Sequence, residues 1–533
     1  MAVRIKTDIR RWLQELDKKY FLVMLGFSAF VFFPLIALRL TNTVDGLWTT
    51  TEYMAGTWEL SNGRWFWLVT SFLRFSLQLE PINAVVCLVL VSLGVTRLHG
   101  LFKPVREEGT ICLDWLAGLC YVSSTVIGCY LSFAHQSVEF GLAFCLSVLA
   151  ASCVIRNGST AKGIAYGAFF LALSLGLYQV ELACFCLVLL AYFVLLLFRG
   201  EEKAKLRCFI AKSLGSAVCG AALYWLVLQV ILKLSGVAMA EYQGGASISP
   251  LNMVKNLPQS IAKCYGQFWD YFFGDTVRHN TLQNTKVLYV LAFVFVGAAL
   301  LRRLAVILRR KDAETAFYAV AALLVMPLAS VIFLLAALEA TFYIPMAGGT
   351  ALFFPVCFWL LNAAPVQPSG RVEKNAVLLT AAVILYGGVF MSVIDQQAMY
   401  EGRRATKQIA DLVANELVAE GYYDAPEKLP VMLVGRPSAS PLFRTHVVYW
   451  DANDYAQVGL FKKESAATMR YSWNAVFLDL TPVQLELCSD DMYDGLIRTE
   501  EIRQMPVFPE NGSMQVMNGV YVIKISEDYQ LDG

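Results

Sequence analysis

The chain has 533 residues, of which 57% are hydrophobic, 13% aromatic and only 16% charged, against about 25% charged in an ordinary soluble domain. That composition excludes a wholly soluble enzyme. The 43 Lys and Arg nearly cancel the 42 Asp and Glu, leaving a formal charge of +1 and no basic excess to hold a nucleic acid.

The start is basic (Arg4, Lys6, Arg10, Arg11, Lys18, Lys19) and leads into an apolar run from Phe21 to about Leu38. No small-residue cleavage site follows it, so it reads as a retained first span rather than a signal peptide. Further runs near 82–98, 111–133, 138–155, 163–178, 180–198, 209–232, 286–304, 315–338, 345–363 and 375–394 are each of the order needed to cross about 30 Å of hydrocarbon. Eleven spans are therefore expected. Tyr178-Gln179 with Glu181 marks the turn that divides the overlong stretch 163–198.

Alternate connections hold Arg97/Lys103/Arg106, Arg156/Lys162, Arg199/Lys203/Lys205/Arg207, Arg302/Arg303/Arg309/Arg310/Lys311 and Arg371/Lys374. By the positive-inside rule these face the cytoplasm, and an odd number of spans puts the chain after Asp395 on the far side. A membrane domain, 1–395, is thus expected to carry outer loops 41–81 and 236–285, and 396–533 to form an extracytoplasmic domain. The 13 cysteines lie mostly inside the apolar runs, where they act as small hydrophobes.

The first outer loop is dense in acids and aromatics: Asp45, Trp48, Glu52, Trp58 and Glu59, then Asn62-Gly63-Arg64-Trp65-Phe66-Trp67. From Trp65 to Phe75, Trp65, Leu68, Val69, Phe72 and Leu73 share one helical face, opposite Ser71, Arg74 and Gln78. Such a helix is expected in the interface plane with its aromatics at headgroup depth. Asp45, just past the first span, is placed to take a proton from a sugar hydroxyl attacking an anomeric carbon. Arg64 has the planar donors that match a departing phosphate. The blander alternatives are a solvated loop acid and an interfacial turn.

Tyr178 and Gln179 either contact a sugar or lipid headgroup or satisfy open helix-end backbone groups. In the second outer loop the aromatic segment Gln259 to Phe273 predicts another interfacial helix, followed by Arg278 as a second phosphate contact and by His279, more simply a surface histidine. The tail turns charged. It shows strand-like runs at 431–434, 475–478 and 520–523 and a helical stripe at Ile409, Leu412, Val413, Leu417 and Val418, which predict a small α/β domain with Trp450 and Trp473 as stacking faces or core.

The early Asp45, the loop ending Gly63-Arg64-Trp65, the run Leu-Ser-Leu-Gly-Leu-Tyr178-Gln179, the segment Met505-Pro-Val-Phe-Pro-Glu-Asn-Gly512 and Gly519-Val-Tyr-Val-Ile-Lys524 together resemble the GtrII-like membrane glucosyltransferases. These are the serotype-converting enzymes of bacterial surface polysaccharides, of GT-C type. The resemblance implies a mainly α, polytopic membrane protein with a C-terminal α/β domain. It implies transfer of a sugar, commonly glucose, from a polyprenyl-phosphate donor to a glycan such as O-antigen at the outer face of the cytoplasmic membrane, with inversion.

By that resemblance Asp45 is the base, and the second acid stays open between Glu52 and Glu59. The donor is expected among Arg64, Trp65, Tyr178, Gln179, Arg278 and His279. The expected partners are the lipid-linked donor, the glycan acceptor, the bilayer, a companion flippase and a donor-synthesising enzyme. No cofactor, metal or nucleic acid is expected. The rival reading is a transporter or flippase of lipid-linked sugars, which calls for ionisable residues deep within spans.

Overall fold

Backbone N–H and C=O groups inside hydrocarbon have no water to bond, so long apolar runs satisfy themselves by coiling. The computed structural model describes residues 16–529 except 42–45, 47–52, 104–110, 248–249, 275–282, 311, 365–370, 425–426, 459–465 and 482. Among the described residues nine helices are long and apolar enough to cross a membrane: Ile82–Leu101, Cys112–Ser132, Ser137–Arg156, Thr160–Leu177, Gln179–Arg199, Lys203–Ser235, Thr285–Arg309, Ile344–Ala363 and Val372–Ala419. The other two expected spans fall on shorter helices. The first is Lys18–Val31, broken at Phe32 before Phe33–Ala37, and the second is Ala313–Ala329, followed by a 3-10 turn at Ile332–Leu335.

Apolar side chains that ordinarily hide from water are exposed along the outer helices, as at Leu214, Val218, Leu226, Val294 and Leu301. On a multi-pass membrane protein that is the lipid-facing surface. The basic connections are tied together by ion pairs: Lys203 to Asp312 at 2.8 Å, Arg207 to Glu314 at 2.7 Å, and Arg302 and Arg303 to Glu373 at 2.7 and 3.0 Å.

Helix breaks leave backbone groups without intrahelical partners, and two breaks here are closed by one long helix, Arg371–Ala419. Gln396 Nε2 donates to Val31 O at 3.0 Å, and its Oε1 accepts from Leu35 N at 3.1 Å, across the break at Phe32. Ser392 Oγ donates to Ser123 O at 2.9 Å, in the gap between the helices Ile111–Val122 and Thr125–Ser132.

The same helix continues past 395 into the tail, where Ala405, Ile409, Val413 and Leu417 are buried in the tail core. Leu412 and Val418, expected on that stripe, are exposed instead. The tail sheet is built from β1 (Val431–Val434), β2 (Met514–Met517) and β3 (Val520–Lys524) in the order β1-β3-β2, with β1 parallel and β2 antiparallel to β3. The run 475–478, expected as a strand, lies in the helix Ala466–Leu480. Trp473, Val476, Phe477 and Leu480 are buried there at helical spacing, which a short apolar run cannot declare by itself. Trp473 is therefore core. Arg403, near the start of the tail, pairs with Asp479 at 2.7 Å and donates to Arg39 O at 3.1 Å.

Candidate active site

Residues 53–80 fold over the bundle end opposite the basic connections. Tyr53 N donates to Ser76 O at 2.7 Å, closing the segment on itself. The short helix Thr57–Ser61 is braced at its start by Glu59, whose Oε2 accepts from Gly56 N at 2.7 Å and whose Oε1 accepts from Tyr53 Oη at 2.6 Å. Both oxygens of Glu59, 7% exposed, are thus engaged within the loop. Burial beside this carboxylate pushes the Tyr53 phenol well up from its ordinary value.

The turn after it is pinned by two spans. Gln179 Nε2 donates to Asn62 O at 2.8 Å, Tyr224 Oη donates to Gly63 O at 3.2 Å, and the two side chains are 3.1 Å apart. Gly63 has φ +77°, and a Cβ there would lie 2.7 Å from Gln179 Nε2 and closer still to the Tyr224 hydroxyl. Only glycine meets both demands.

This turn presents Arg64. Its guanidinium carbon lies 4.8 Å from the Trp67 ring centre and 5.7 Å from that of Tyr178, distances at which a cation is held by ring quadrupoles. Its Nε is buried without a hydrogen-bond partner, and no carboxylate among the described residues pairs with it. A guanidinium held on two aromatic rings without a carboxylate keeps donors of the kind that can pair with an anion.

The following helix, Phe66–Leu73, turns its polar side into the protein. Trp67, Thr70 and Ser71 are buried while Val69, Phe72 and Leu73 are exposed, as expected for a helix lying against lipid. Arg74 at its end and Thr70 converge on Glu139 Oε1, at 2.8 and 2.9 Å. Arg74 also reaches His135 O at 3.5 Å.

His135, 3% exposed, stands edge-on to Tyr53 with ring centres 4.8 Å apart. Burial, aided by Arg74 and Arg64, lowers its pKa to about 3, so the ring is neutral. Gln136 Nε2 donates to His135 Nε2 at 2.7 Å, which leaves the proton on Nδ1.

Beneath Tyr178 the rings of Phe140 (5.0 Å) and Tyr130 (4.8 Å from Phe140) lead to Glu181, whose Oε1 accepts from Tyr130 Oη at 3.1 Å. Glu181 is 1% exposed, and its Oε2 has no partner. Unmade hydrogen bonds of this kind cost about 1–3 kcal/mol each.

Of the residues predicted from sequence, Asp45, Glu52, Arg278 and His279 lie outside the described residues. Arg64, Tyr178 and Gln179 come together with Glu59 close by, Gln179 bonding the loop rather than standing free. Trp65, expected on the exposed apolar face with Val69, Phe72 and Leu73, turns into the protein instead. It is 8% exposed and fills the space that Gly176 leaves open, where a Cβ would sit 2.7 Å from the indole. The Gln259 to Phe273 segment does form a helix, Leu257–Phe273, with Trp269 exposed and Phe268, Tyr271 and Phe272 buried.

Sequence reasoning missed Tyr53, His135, Glu139 and Tyr224. Glu139 in the first turn of an apolar helix was the one available signal. Among the described residues no group of three or more His, Cys, Asp or Glu side chains is arranged to hold a metal ion.

Residues 41–356 match the family described as glucosyl transferase GtrII. The chain is also similar to the solved structure of the Archaeoglobus fulgidus oligosaccharyltransferase tethered through a disulfide to an acceptor peptide containing the NVT sequon. That match has 13% identity and a TM-score of 0.33, and it covers 83% of this chain and 63% of that one, less than two thirds of its length. No curated protein matches.

Proposed function

The chain belongs to the glucosyl transferase GtrII family, and from that premise we propose that it is a membrane glycosyltransferase that moves glucose from a polyprenyl-phosphate donor to a surface glycan such as O-antigen. The observation that carries this reading is Arg64, a guanidinium held between Trp67 and Tyr178 with no carboxylate partner among the described residues.

The acceptor hydroxyl oxygen bonds to the anomeric carbon as Asp45 takes its proton, and the bond from that carbon to the phosphate oxygen breaks with inversion. The polyprenyl phosphate leaves as an anion whose charge Arg64 balances. Arg278 is taken as a second phosphate contact and His279 as a further donor contact, and Trp65 supports the donor site from within the protein. Glu52 is the acid left to assist Asp45, since Glu59 braces the loop. The loop end faces the outside of the cytoplasmic membrane, with the basic connections in the cytoplasm. A flippase and a donor-synthesising enzyme supply the lipid-linked sugar.

Purified protein is given polyprenyl-phosphate-glucose and glycan, and transfer is compared with Asp45→Asn and Arg64→Lys. A loss of about 10²–10⁴-fold in kcat is expected for the first and about 10²-fold in kcat/KM for the second. Full activity of Asp45→Asn removes the base assignment.

A further inference from the structure

Five buried polar atoms on neighbouring residues have no partner: Arg64 Nε, Trp67 Nε1, Arg74 Nε, His135 Nδ1 and Glu139 Oε2. Their closeness follows from the rings and ion pair that carry them. Tyr53 lies 6.2 Å from Trp67 and 4.8 Å from His135, Arg64 lies 4.8 Å from Trp67, and Arg74 spans Glu139 and the His135 carbonyl. Four of the atoms are N–H donors and one is a carboxylate acceptor.

An apolar chain satisfies none of them. A bare anion suits the donors but meets Glu139 Oε2. A polyol fits both kinds, because each hydroxyl donates once and accepts besides, and the charge of Glu139 is already balanced by Arg74 at 2.8 Å.

We propose that this cluster recognises the hydroxyls of the transferred hexose, Glu139 Oε2 accepting from one hydroxyl and His135 Nδ1–H donating to a neighbouring one. The inference rests on the glycosyltransferase reading and extends it to sugar selection. Tyr53 bounds the cluster on the loop side, beside Trp67 and His135, and is held there by its bond to Glu59.

The test compares kcat/KM for polyprenyl-phosphate-glucose and its monodeoxy analogues in the wild type, Glu139→Gln, His135→Gln and Trp67→Phe, the last keeping an aromatic ring. In the wild type at least one analogue is expected to lose about 10- to 100-fold. In the variant that faced the missing hydroxyl that penalty shrinks below about threefold, while the other penalties stay.

A general defect lowers every donor by one factor. Such unchanged penalty profiles in all three variants overturn the proposal and leave the cluster as a water site. Should a variant be inactive, ¹⁵N-histidine NMR of the wild type decides: the His135 Nδ1–H signal shifts with the glucose donor and not with the monodeoxy analogue that lacks its hydroxyl partner, and no shift with glucose, or an equal shift with every analogue, overturns the assignment. If the wild type uses no such donor, the glycosyltransferase reading falls too, and this shows as inactivity of the unaltered chain.

Discussion

His135 shows how position rather than residue type sets chemistry at this site. An ordinary histidine titrates near 6.5, but burial beside Arg74 and Arg64 holds this one at about 3. The unfolded chain takes up the proton below about 6.5 and the folded chain does not until about 3, so stability is retained above 6.5 and lost as pH falls through that window. The thermal midpoint of the wild type in detergent is therefore expected to fall more steeply between pH 6.5 and 3 than that of His135→Gln. Parallel curves would show that the ring is not buried uncharged. Arg64 was readable from its local string, because Asn-Gly-Arg-Trp is a turn, a cation and an aromatic in succession. His135 and Glu139 were not, since Arg74 and Thr70 reach them across 61, 65 and 69 residues of chain, and no local pattern encodes such a meeting.

At the scale of elements, hydropathy located nine of the eleven expected spans as long apolar helices among the described residues, because a run of that length can satisfy its own backbone in lipid by coiling. It did not locate the breaks at Phe32 and Ser123, whose open groups are met by Gln396 and Ser392 from far along the chain. The amphipathic pattern after Trp65 predicted the helix Phe66–Leu73, though Trp65 itself turned inward, since room for it comes from Gly176 on another helix. Strand-like apolarity at 475–478 misled for want of any length cue. The Asn62-Gly63 turn is the element on which Arg64 depends. Gly63→Ala imposes an unfavourable φ of +77° and a clash with Gln179 and Tyr224, at more than about 1 kcal/mol. A fall of about tenfold or more in kcat/KM is expected, with the spans still helical by circular dichroism. Wild-type kinetics in that variant would mean that the turn does not position Arg64.

For the molecule as a whole, the division of labour was legible: basic connections at one bundle end, an aromatic and acidic loop at the other, and an α/β tail. What composition could not convey is that one unbroken helix, Arg371–Ala419, runs from the bundle into the tail, or that Arg403 links Arg39, at the end of the first helical segment, to Asp479 in the tail. The Arg403 contacts join segments more than 70 residues apart. A membrane protein with this loop end could transfer a lipid-linked sugar or merely carry it across. The most direct discrimination uses purified protein in liposomes, with labelled glucose on polyprenyl phosphate and a glycan acceptor outside, against labelled nucleotide-glucose as the competing donor. Label passing from the lipid to the glycan, and none from the nucleotide, is the expected result. Label that crosses the bilayer still attached to its lipid, with none joined to glycan, would contradict a transferase and establish a carrier.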